Sequence, residues 1–363
     1  MKHNKASIAA AALLVGAVSL VGATSASADF SPQARDIVGV GSNTIQISLN
    51  NVADGAKIGA FNTPGYNATS NARLVSFNAL NPSVPSNSAT TLIHDQIVVK
   101  PGATPITRPD GSGQGMATLY GTGNVAGINY SRSSSALDAP AVAGGLTAIS
   151  FGVDTLGVAV STTTNAPAGV SIAQLVQIYL GNINNWSQIG GQPGTIVPLI
   201  PQSGSGTRKF FEAQLKAANG GVTVVYPVGL VFEVQEHDPL AFDATTAAAH
   251  TPPYNAANAV GPFSIGRAAL GAGPASVHID TALASDSSAS FSAQRAVYNV
   301  VRTADVTKAF VTNLFGPNGF LCSPAAKDLI SAGGVSQMAT AGAGGACGTT
   351  TNTTTGITNF TLS

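Results

Sequence analysis

The sequence has little charge and no run of basic residues. Only 9% of its 363 residues are charged, and 16 Lys and Arg balance 16 Asp and Glu. Nucleic acids and anionic membrane surfaces are bound mainly through clustered Lys and Arg. The sparse and balanced charge therefore argues against both, and we expect no nucleic-acid partner.

Motifs of nucleotide, hydrolase and metal chemistry are also missing. No Lys follows Gly206 as a Walker P-loop requires, and Ser203 stands where the GxSxG elbow of a hydrolase needs Gly. The histidines that matter here lie far apart, without the spacing of zinc ligands, at His94, His237, His250 and His278. We therefore predict no metal, no other cofactor and no enzymatic activity. A secreted hydrolase of phosphate esters stays as an alternative.

The first 28 residues have the pattern of a signal peptide. A basic start precedes an apolar stretch over residues 8–21, and Ala26-Ser27-Ala28 has the A-x-A form of a cleavage site. The stretch is shorter than the about 20 apolar residues that span a bilayer. No Cys stands at the cleavage point to carry a lipid. We expect a secreted or surface-associated protein beginning at Asp29, with no transmembrane segment; a retained membrane anchor is the alternative.

Cysteine is scarce as well. Cys322 and Cys347 are the two cysteines, and both lie near the C-terminus. In an exported chain an even pair most often forms a disulfide, which closes here a loop of about 25 residues and stabilises by roughly 3 kcal/mol. A metal site is the alternative, but no His lies near the two thiols. The pair predicts a disulfide.

What the sequence does contain is an alternation of short apolar runs and amphipathic helical stretches. This pattern predicts an α/β architecture. The strand candidates are residues 36–42, 96–99, 128–131, 146–151, 155–160, 196–200 and 292–301. The helix candidates are residues 44–54, 171–180, 208–218 and 303–315.

A turn rich in Gly and Ser connects one of these strands to a helix. Ser203-Gly204-Ser205-Gly206-Thr207 follows the strand at 196–200, and Arg208 opens the helix. The first N–H groups of a helix have no intrahelical partner, and the helix dipole makes that end mildly positive. Glycines let the backbone approach an anion closely, and the hydroxyls and Arg208 add donors. The turn predicts an oxyanion site; a plain N-capped connection is the alternative.

Three other turns repeat this chemistry. They are Gly41-Ser42-Asn43-Thr44, residues 109–115 around Ser112, and Arg132-Ser133-Ser134-Ser135. Since most of them stand at strand-to-helix junctions, we expect the loops to converge on one polar ligand. The candidate ligand-binding residues are Ser42, Asn43, Thr44, Ser112, Arg132, Ser133, Ser134, Ser205, Gly206, Thr207 and Arg208.

On these turns, and on the pattern from Leu175 to Trp186, the chain resembles the phosphate-binding proteins of bacterial ABC importers, particularly secreted actinobacterial forms. The resemblance implies a two-lobed periplasmic-binding-protein clamp of type II with the ligand in the interlobe cleft. Lobe 1 would take residues 29–152 plus 264–363, and lobe 2 residues 153–263. The implied ligand is inorganic phosphate or a similar oxyanion. An ABC importer permease is the implied partner, and we expect a monomer.

Two departures from the family pattern bear on the ligand. Where family members place an Asp and an Arg that pair with each other, this chain has Ser134 and Pro201. Arg132 and Arg208 are the candidates for the missing cation. The acceptor for the phosphate proton stays open among Asp110, Asp138, Glu236 and Asp238. A clamp for sulfate or another oxyanion, and a surface protein that keeps the fold without the site, are therefore further alternatives.

Overall fold

The computed structural model describes residues 31–84, 90–161, 164–242, 254–270, 277–279, 291–342 and 344–363. The predicted signal peptide at 1–28 and His250 lie outside these residues. Within the described ranges, no helix is both long and apolar enough to cross a bilayer.

Strands and helices alternate along the chain. The strands are β1 (Ile37–Gly41), β2 (Ala56–Ile58), β3 (Phe61–Thr63), β4 (Leu74–Ser76), β5 (Gln96–Ile97), β6 (Ile106–Thr107), β7 (Tyr130–Ser133), β8 (Leu146–Ser161), β9 (Val197–Pro201), β10 (Phe232–Val234), β11 (Ala259–Ser264), β12 (Val277–Ile279), β13 (Ala293–Arg302), β14 (Ser336–Gln337) and β15 (Thr350–Thr351). The helices are α1 (Gln46–Asp54), α2 (Thr90–Ile93), α3 (Gly111–Ala117), α4 (Ala139–Ala143), α5 (Ile172–Tyr179), α6 (Gly206–Ala218), α7 (Ile265–Ala269), α8 (Ala309–Leu314) and α9 (Pro324–Ser331).

One mixed sheet runs through the molecule in the order β10-β9-β11-β8-β13-β7-β1-β4, and β12, β14 and β15 also pair with β8. Parallel pairs form both ends of the sheet. At one end β1 pairs with β4 and with β7, and at the other end β9 pairs with β10 and with β11. The long strands β8 and β13 pair with each other in antiparallel over their whole shared length. The α/β prediction is confirmed, and these two central strands connect the two ends of the sheet.

Local signals placed several elements correctly. Ser171 caps α5 through a reciprocal capping box with Gln174, which satisfies N–H groups that the helix cannot pair itself. Residues 146–161, for which the sequence allows a strand pair or one long extended segment, form one continuous strand. The helix expected over 303–315 is in two pieces, because Lys308 is in an extended conformation between a 3-10 turn and α8. A short 3-10 turn and a new helix start thus replace one long helix.

Three groups of buried apolar side chains fill the interior of the described chain. The largest includes Val38 and Tyr130 and continues to Leu329 near the C-terminal end. The second, around Trp186 and Phe211, packs α5 and α6 against the second half of β8. The third and smallest includes Leu199, Phe242 and Phe263. The turn that opens α6 and the turns after β1 and β7 therefore approach one another from separately packed halves.

The predicted disulfide is confirmed. Cys322 and Cys347 are bonded, and both are buried. The bond ties the chain before α9 to the C-terminal segment that pairs with β8 through β15.

Candidate functional site

The N-terminus of α6 is built as the sequence predicts. Ser205 is the N-cap residue, and its hydroxyl accepts a hydrogen bond from Arg208 N at 3.1 Å. Gly204 has a φ of 87°, a conformation that L side chains rarely adopt. A Cβ added to Gly206 would lie 2.4 Å from the hydroxyl oxygens of Ser112 and Ser134. The two glycines therefore let this helix start make its turn and approach the opposite loops.

Hydroxyl groups from four segments of the chain meet in front of this helix. Ser134 Oγ lies 3.2 Å from Ser42 Oγ, 3.2 Å from Thr44 Oγ1 and 3.4 Å from Ser112 Oγ. Thr44 Oγ1 lies 3.3 Å from Thr207 Oγ1 of α6. All five side chains are buried. We call these five residues the hydroxyl cluster, and they show that the predicted turns do converge.

The turns also touch through their backbones. Gly113 N of α3 donates to Gly204 O at 2.9 Å. Beside this contact Asp110 Oδ2 accepts from the amide groups of Gln202 and Gln235 at 2.8 and 2.9 Å. These bonds hold the α3 turn and the α6 turn together at the edge of the hydroxyl cluster.

Arg132 is buried, but its guanidinium binds the protein's own backbone. Nε donates to Ser42 O at 3.1 Å, Nη2 to Gly41 O at 3.0 Å and Nη1 to Ser76 Oγ at 2.8 Å. Burial lowers the pKa of Arg132 to about 10, so the group still carries its charge at neutral pH. Its observed contacts fix the turn after β1, and the ligand contact predicted for it stays a prediction.

Arg208 faces away from the hydroxyl cluster. Its Nε lies 3.0 Å from Glu212 Oε1, and its Nη1 lies 2.7 Å from Glu233 Oε2. It lines a neighbouring cavity of about 260 Å3 in which Asp138 and Glu212 offset the cations of Arg208 and Lys209. With two carboxylates already bound to it, Arg208 is a poor candidate for an anion contact.

Ser133 and Asn43, two further candidates, are also occupied locally. Ser133 Oγ donates to Ser135 O at 2.7 Å. Asn43 Oδ1 accepts from Arg267 Nη2 at 3.2 Å. Asn43 therefore positions a cation beside the hydroxyl cluster.

The cation that reaches the hydroxyl cluster is Arg295, which the sequence analysis missed. It lies on β13 directly opposite Asp154 of β8. Its Nε donates to Asp154 Oδ2 at 2.9 Å, and its Nη2 donates to Thr207 Oγ1 at 2.8 Å. Both side chains are buried. Asp154 is the one charged residue of β8, and Arg295 is the one charged residue of β13 before its last residue, Arg302. In a chain so poor in charge, these two positions were the signal that could have found them.

Unpartnered donors surround the same place. Among the described residues, the buried Arg295 Nη1 and the buried Nε and Nη1 of Arg267 have no hydrogen-bond partner. Buried polar groups are nearly always paired, so these N–H groups are aimed at something that accepts hydrogen bonds. Burial lowers the pKa of Arg267 to about 10, while Glu236 and Asp154 oppose that shift. Arg267 therefore still carries its charge at neutral pH.

His237 borders the hydroxyl cluster on a strained turn. Its φ of 57° is the one positive value of a non-glycine residue in the described chain. Nδ1 accepts from Ser264 N at 3.4 Å, which leaves the ring proton on Nε2, 3.0 Å from Thr44 Oγ1. Burial, then the charge of Arg267, hold the pKa of His237 well below 6.5. The ring is therefore neutral at neutral pH.

Glu236 is the carboxylate that lies in the site. Of the other three acids left open by the sequence, Asp110 joins the two glutamines, while Asp138 and Asp238 accept from the backbone N–H groups of Ala141 and Leu240. Glu236 Oε1 accepts from Ser205 Oγ at 2.7 Å and from Thr207 N at 3.1 Å. A negatively charged group at the start of α6 is what the helix dipole favours.

In the part of the chain that the structure describes, no group of three or more His, Cys, Asp or Glu side chains could hold a metal ion. The arrangement offers hydroxyl groups, helix N–H groups and the guanidinium groups of Arg295 and Arg267, with the carboxylate of Glu236 beside them. Such a set can bind a compact oxygen-rich anion.

Known structures with the same architecture were found, although no curated protein matches the chain by sequence. One of them is a Clostridium perfringens protein, which is assigned as the substrate-binding protein of a phosphate ABC transporter and was solved with bound phosphate. It matches with a TM-score of 0.51 and 15% identity, over 83% of this chain and 98% of that one. An ABC-type phosphate transport receptor from Vibrio cholerae is similar with a TM-score of 0.48 and 20% identity, over 83% of this chain and 99% of that one.

The first of these likenesses shows the fold, which is that of a two-lobed periplasmic binding protein with a mixed α/β architecture. The fold class predicted from the sequence is thereby confirmed. A family model of the PBP superfamily domain matches residues 83–359, more than half of the chain, and the chain therefore belongs to the PBP superfamily.

Proposed function

We propose that this chain is a solute-binding protein that takes an oxyanion, inorganic phosphate in the first place, between its two lobes. No reaction is required of the site. Binding proceeds by convergence of neutral donors and arginines on the anion, followed by closure of the lobes over it.

The observation that carries this proposal is the convergence of donors at the start of α6. The hydroxyl cluster and the α6 N–H groups face the unpartnered N–H groups of Arg295 and Arg267. Charge-assisted hydrogen bonds from arginine to an oxyanion are about twice as strong as neutral ones. The paired Asp154 and Arg295 then supply the ion pair that Ser134 and Pro201 lack.

The proposed ligand contacts differ in part from those expected from the sequence. We keep Ser42, Asn43, Thr44, Ser112, Ser134, Ser205, Gly206 and Thr207 in the site. Arg295 and Arg267 replace Arg132 and Arg208 as the cations, because the first two have free N–H groups and the last two are bonded elsewhere.

Phosphate is preferred to other oxyanions because the C. perfringens protein of the same fold is solved with phosphate bound. The donors themselves suit any tetrahedral oxyanion, so sulfate is the comparison that matters. Export, surface retention or release, a monomeric state and delivery to an ABC importer permease belong to the same proposal. The lobes would be residues 29–152 plus 264–363 and residues 153–263; the first range holds most of the largest apolar group and the second holds most of the next largest.

Titration calorimetry with phosphate and sulfate at pH 6 and pH 8 tests the function. We expect phosphate to bind at least about tenfold more tightly than sulfate, a difference of about 1.4 kcal/mol. Thr207→Val removes the hydroxyl that accepts from Arg295 Nη2 and weakens phosphate binding by about tenfold, the size of one charged hydrogen bond.

Thr312→Val is the matched control, because Thr312 is exposed on α8 and bonds only within its own helix. Equal binding of both anions contradicts the phosphate preference. Absence of binding to either anion favours the surface protein without a site, and release of phosphate from an ester favours the hydrolase.

A further inference from the structure

We propose that Glu236 is a tethered competitor of the ligand. Its carboxylate occupies the anion position at the start of α6, and an oxyanion binds fully only when this side chain is displaced. The inference rests on the proposed function, since it concerns the same site.

The carboxylate uses the donors that the proposed function assigns to the ligand. Glu236 Oε1 accepts from the Ser205 hydroxyl at 2.7 Å and from Thr207 N at 3.1 Å, and Thr44 Oγ1 lies 3.4 Å from it. Ser205 is the N-cap residue of α6, Thr207 is the second residue of this helix, and Thr44 comes from the opposite loop. An oxyanion cannot take these three donors while Oε1 holds them.

Glu236 reaches this position from a turn on the same side of the cleft as α6. Residues 235–238 follow β10, whose parallel partner β9 leads into α6. Glu236 N donates to Gln202 Oε1 at 2.7 Å, in the turn before α6. The competitor is therefore anchored beside the helix start that it occupies, and separation of the lobes does not by itself remove it.

The turn is held in this conformation at a cost. His237 has a left-handed backbone conformation, which is unfavourable for a residue with a side chain. The contacts of its neighbours, among them Gln235 Nε2 to Asp110 Oδ2 at 2.9 Å, offset that strain. A strained residue next to the inserted carboxylate indicates that the insertion is specified rather than incidental.

Glu236 is nevertheless an incomplete ligand. Its second oxygen, Oε2, is buried and has no partner among the described residues, and neither have the Arg295 and Arg267 N–H groups mentioned above. A carboxylate has two oxygens where a tetrahedral oxyanion has four. A free oxyanion can therefore satisfy donors that Glu236 leaves unpaired, which gives it the advantage needed to displace the side chain.

Competition of this kind lowers the apparent affinity without changing the site itself. The measured dissociation constant is the intrinsic constant divided by the fraction of molecules in which the site is free. A chain in which Glu236 occupies the site most of the time thus binds oxyanions only at raised concentration.

Calorimetry of phosphate binding to the full mature chain and to Glu236→Ala tests the inference. We expect Glu236→Ala to bind phosphate at least about tenfold more tightly than the natural chain, which corresponds to about 1.4 kcal/mol. Glu236→Gln, which keeps the shape and one acceptor oxygen, gains less. Glu233→Gln is the control, because Glu233 is an exposed carboxylate of β10 that pairs with Arg208 outside the site.

Thermal melting gives a second readout that also reports whether the variants fold. Without phosphate, Glu236→Ala melts at a lower temperature than the natural chain, because the Ser205 hydroxyl and Thr207 N lose their acceptor and Arg267 loses a nearby anion. Added phosphate raises its melting temperature more than that of the natural chain, since ligand binding stabilises the folded state by mass action.

The outcomes separate the two proposals. If the natural chain binds phosphate and both Glu236 variants bind it equally or more weakly, Glu236 is not a competitor, and the proposed function stands. If Glu236→Ala binds phosphate where the natural chain does not, both proposals are supported. If none of the proteins binds phosphate, the proposed function fails and the inference fails with it.

Discussion

Arg132 and Arg295 are both buried arginines on strands of the sheet, yet their side chains bind different kinds of partner. Arg132 is 0% exposed and donates to two backbone carbonyl oxygens and a Ser hydroxyl, without any carboxylate in its hydrogen bonds. Arg295 is 4% exposed, pairs with Asp154 and extends to Thr207 across the cleft. Arg132 fixes a loop, and Arg295 connects a charge pair to the hydroxyl cluster.

The difference shows that sequence neighbourhood is a poor guide to the direction of a long side chain. Arg132 stands next to three serines and so suggests a ligand contact. Arg295 stands in an apolar strand and suggests none. The register of β8 and β13 decides the matter, because it places Arg295 opposite Asp154 and directs both toward α6.

The largest expected effect comes from Arg295→Met. This change leaves Asp154 buried without its cation, which costs about 3–5 kcal/mol of folding stability. It also removes the donor to Thr207, so phosphate binding is lost. Urea denaturation measures the first effect, and calorimetry measures the second.

A double variant separates the two effects of Arg295. Arg295→Met with Asp154→Leu removes both charges and recovers much of the stability, while phosphate binding stays lost. Arg208→Gln is the surface control. We expect it to lower the free energy of unfolding by about 0.5 kcal/mol or less, because the ion pairs of Arg208 lie near solvent. Full recovery of binding in the double variant would show that Arg295 does not contact the ligand.

Arg132→Met should have a smaller effect. This change leaves the carbonyl oxygens of Gly41 and Ser42 without a donor, but it leaves no buried carboxylate without a cation. We therefore expect the free energy of unfolding to fall by about 2 kcal/mol. Phosphate binding weakens only as far as the turn after β1 shifts. The same denaturation and calorimetry apply, and a complete loss of binding in a stably folded Arg132→Met chain would assign Arg132 to the ligand after all.

The smallest expected effect concerns the pH dependence of stability at His237. Its folded pKa lies well below 6.5, so below pH 6.5 the unfolded chain takes up a proton that the folded chain does not. Stability is therefore lost as the pH falls. Between pH 6.5 and pH 5.5 the natural chain should lose about 1 kcal/mol more than His237→Gln.

Denaturation curves at several pH values provide this measurement. The two arginines differ here too. The charge of Arg295 helps to lower the pKa of His237, whereas Arg132 does not contribute to this shift. In Arg295→Met the extra loss should begin at the same pH but become smaller. Identical slopes in the natural chain and His237→Gln would contradict the buried neutral ring.

Much of the architecture could be predicted because its signals are local. A Ser before a helix, a Gly where the backbone turns and an apolar run of strand length act within a few residues of one another. Ser205, Gly206 and Thr207 were placed at the start of a helix on such grounds, and the structure puts them there. The convergence of Ser42, Ser112 and Ser134 on that helix followed from the edge at which strands end.

The charged part of the site could not be derived in the same way. Arg295, Asp154 and Arg267 meet only through strand register and the return of the chain after β11, which no short motif encodes. Glu236 was one of four acids that the sequence left open. Glu236 reaches the hydroxyl cluster because of the conformation of the 235–238 turn, and the strained backbone of His237 in that turn has no sequence signal.

Gly206 allows the start of α6 to approach the loops that carry Ser112 and Ser134. Its α-carbon stands so close to the opposite loops that a methyl group there would lie 2.4 Å from the oxygens of Ser112 and Ser134. A side chain at this position would force the hydroxyl groups of Ser112 and Ser134 to move, and would so disturb the hydroxyl cluster. The packing of these loops against the start of α6 thus depends on the absence of a single carbon atom.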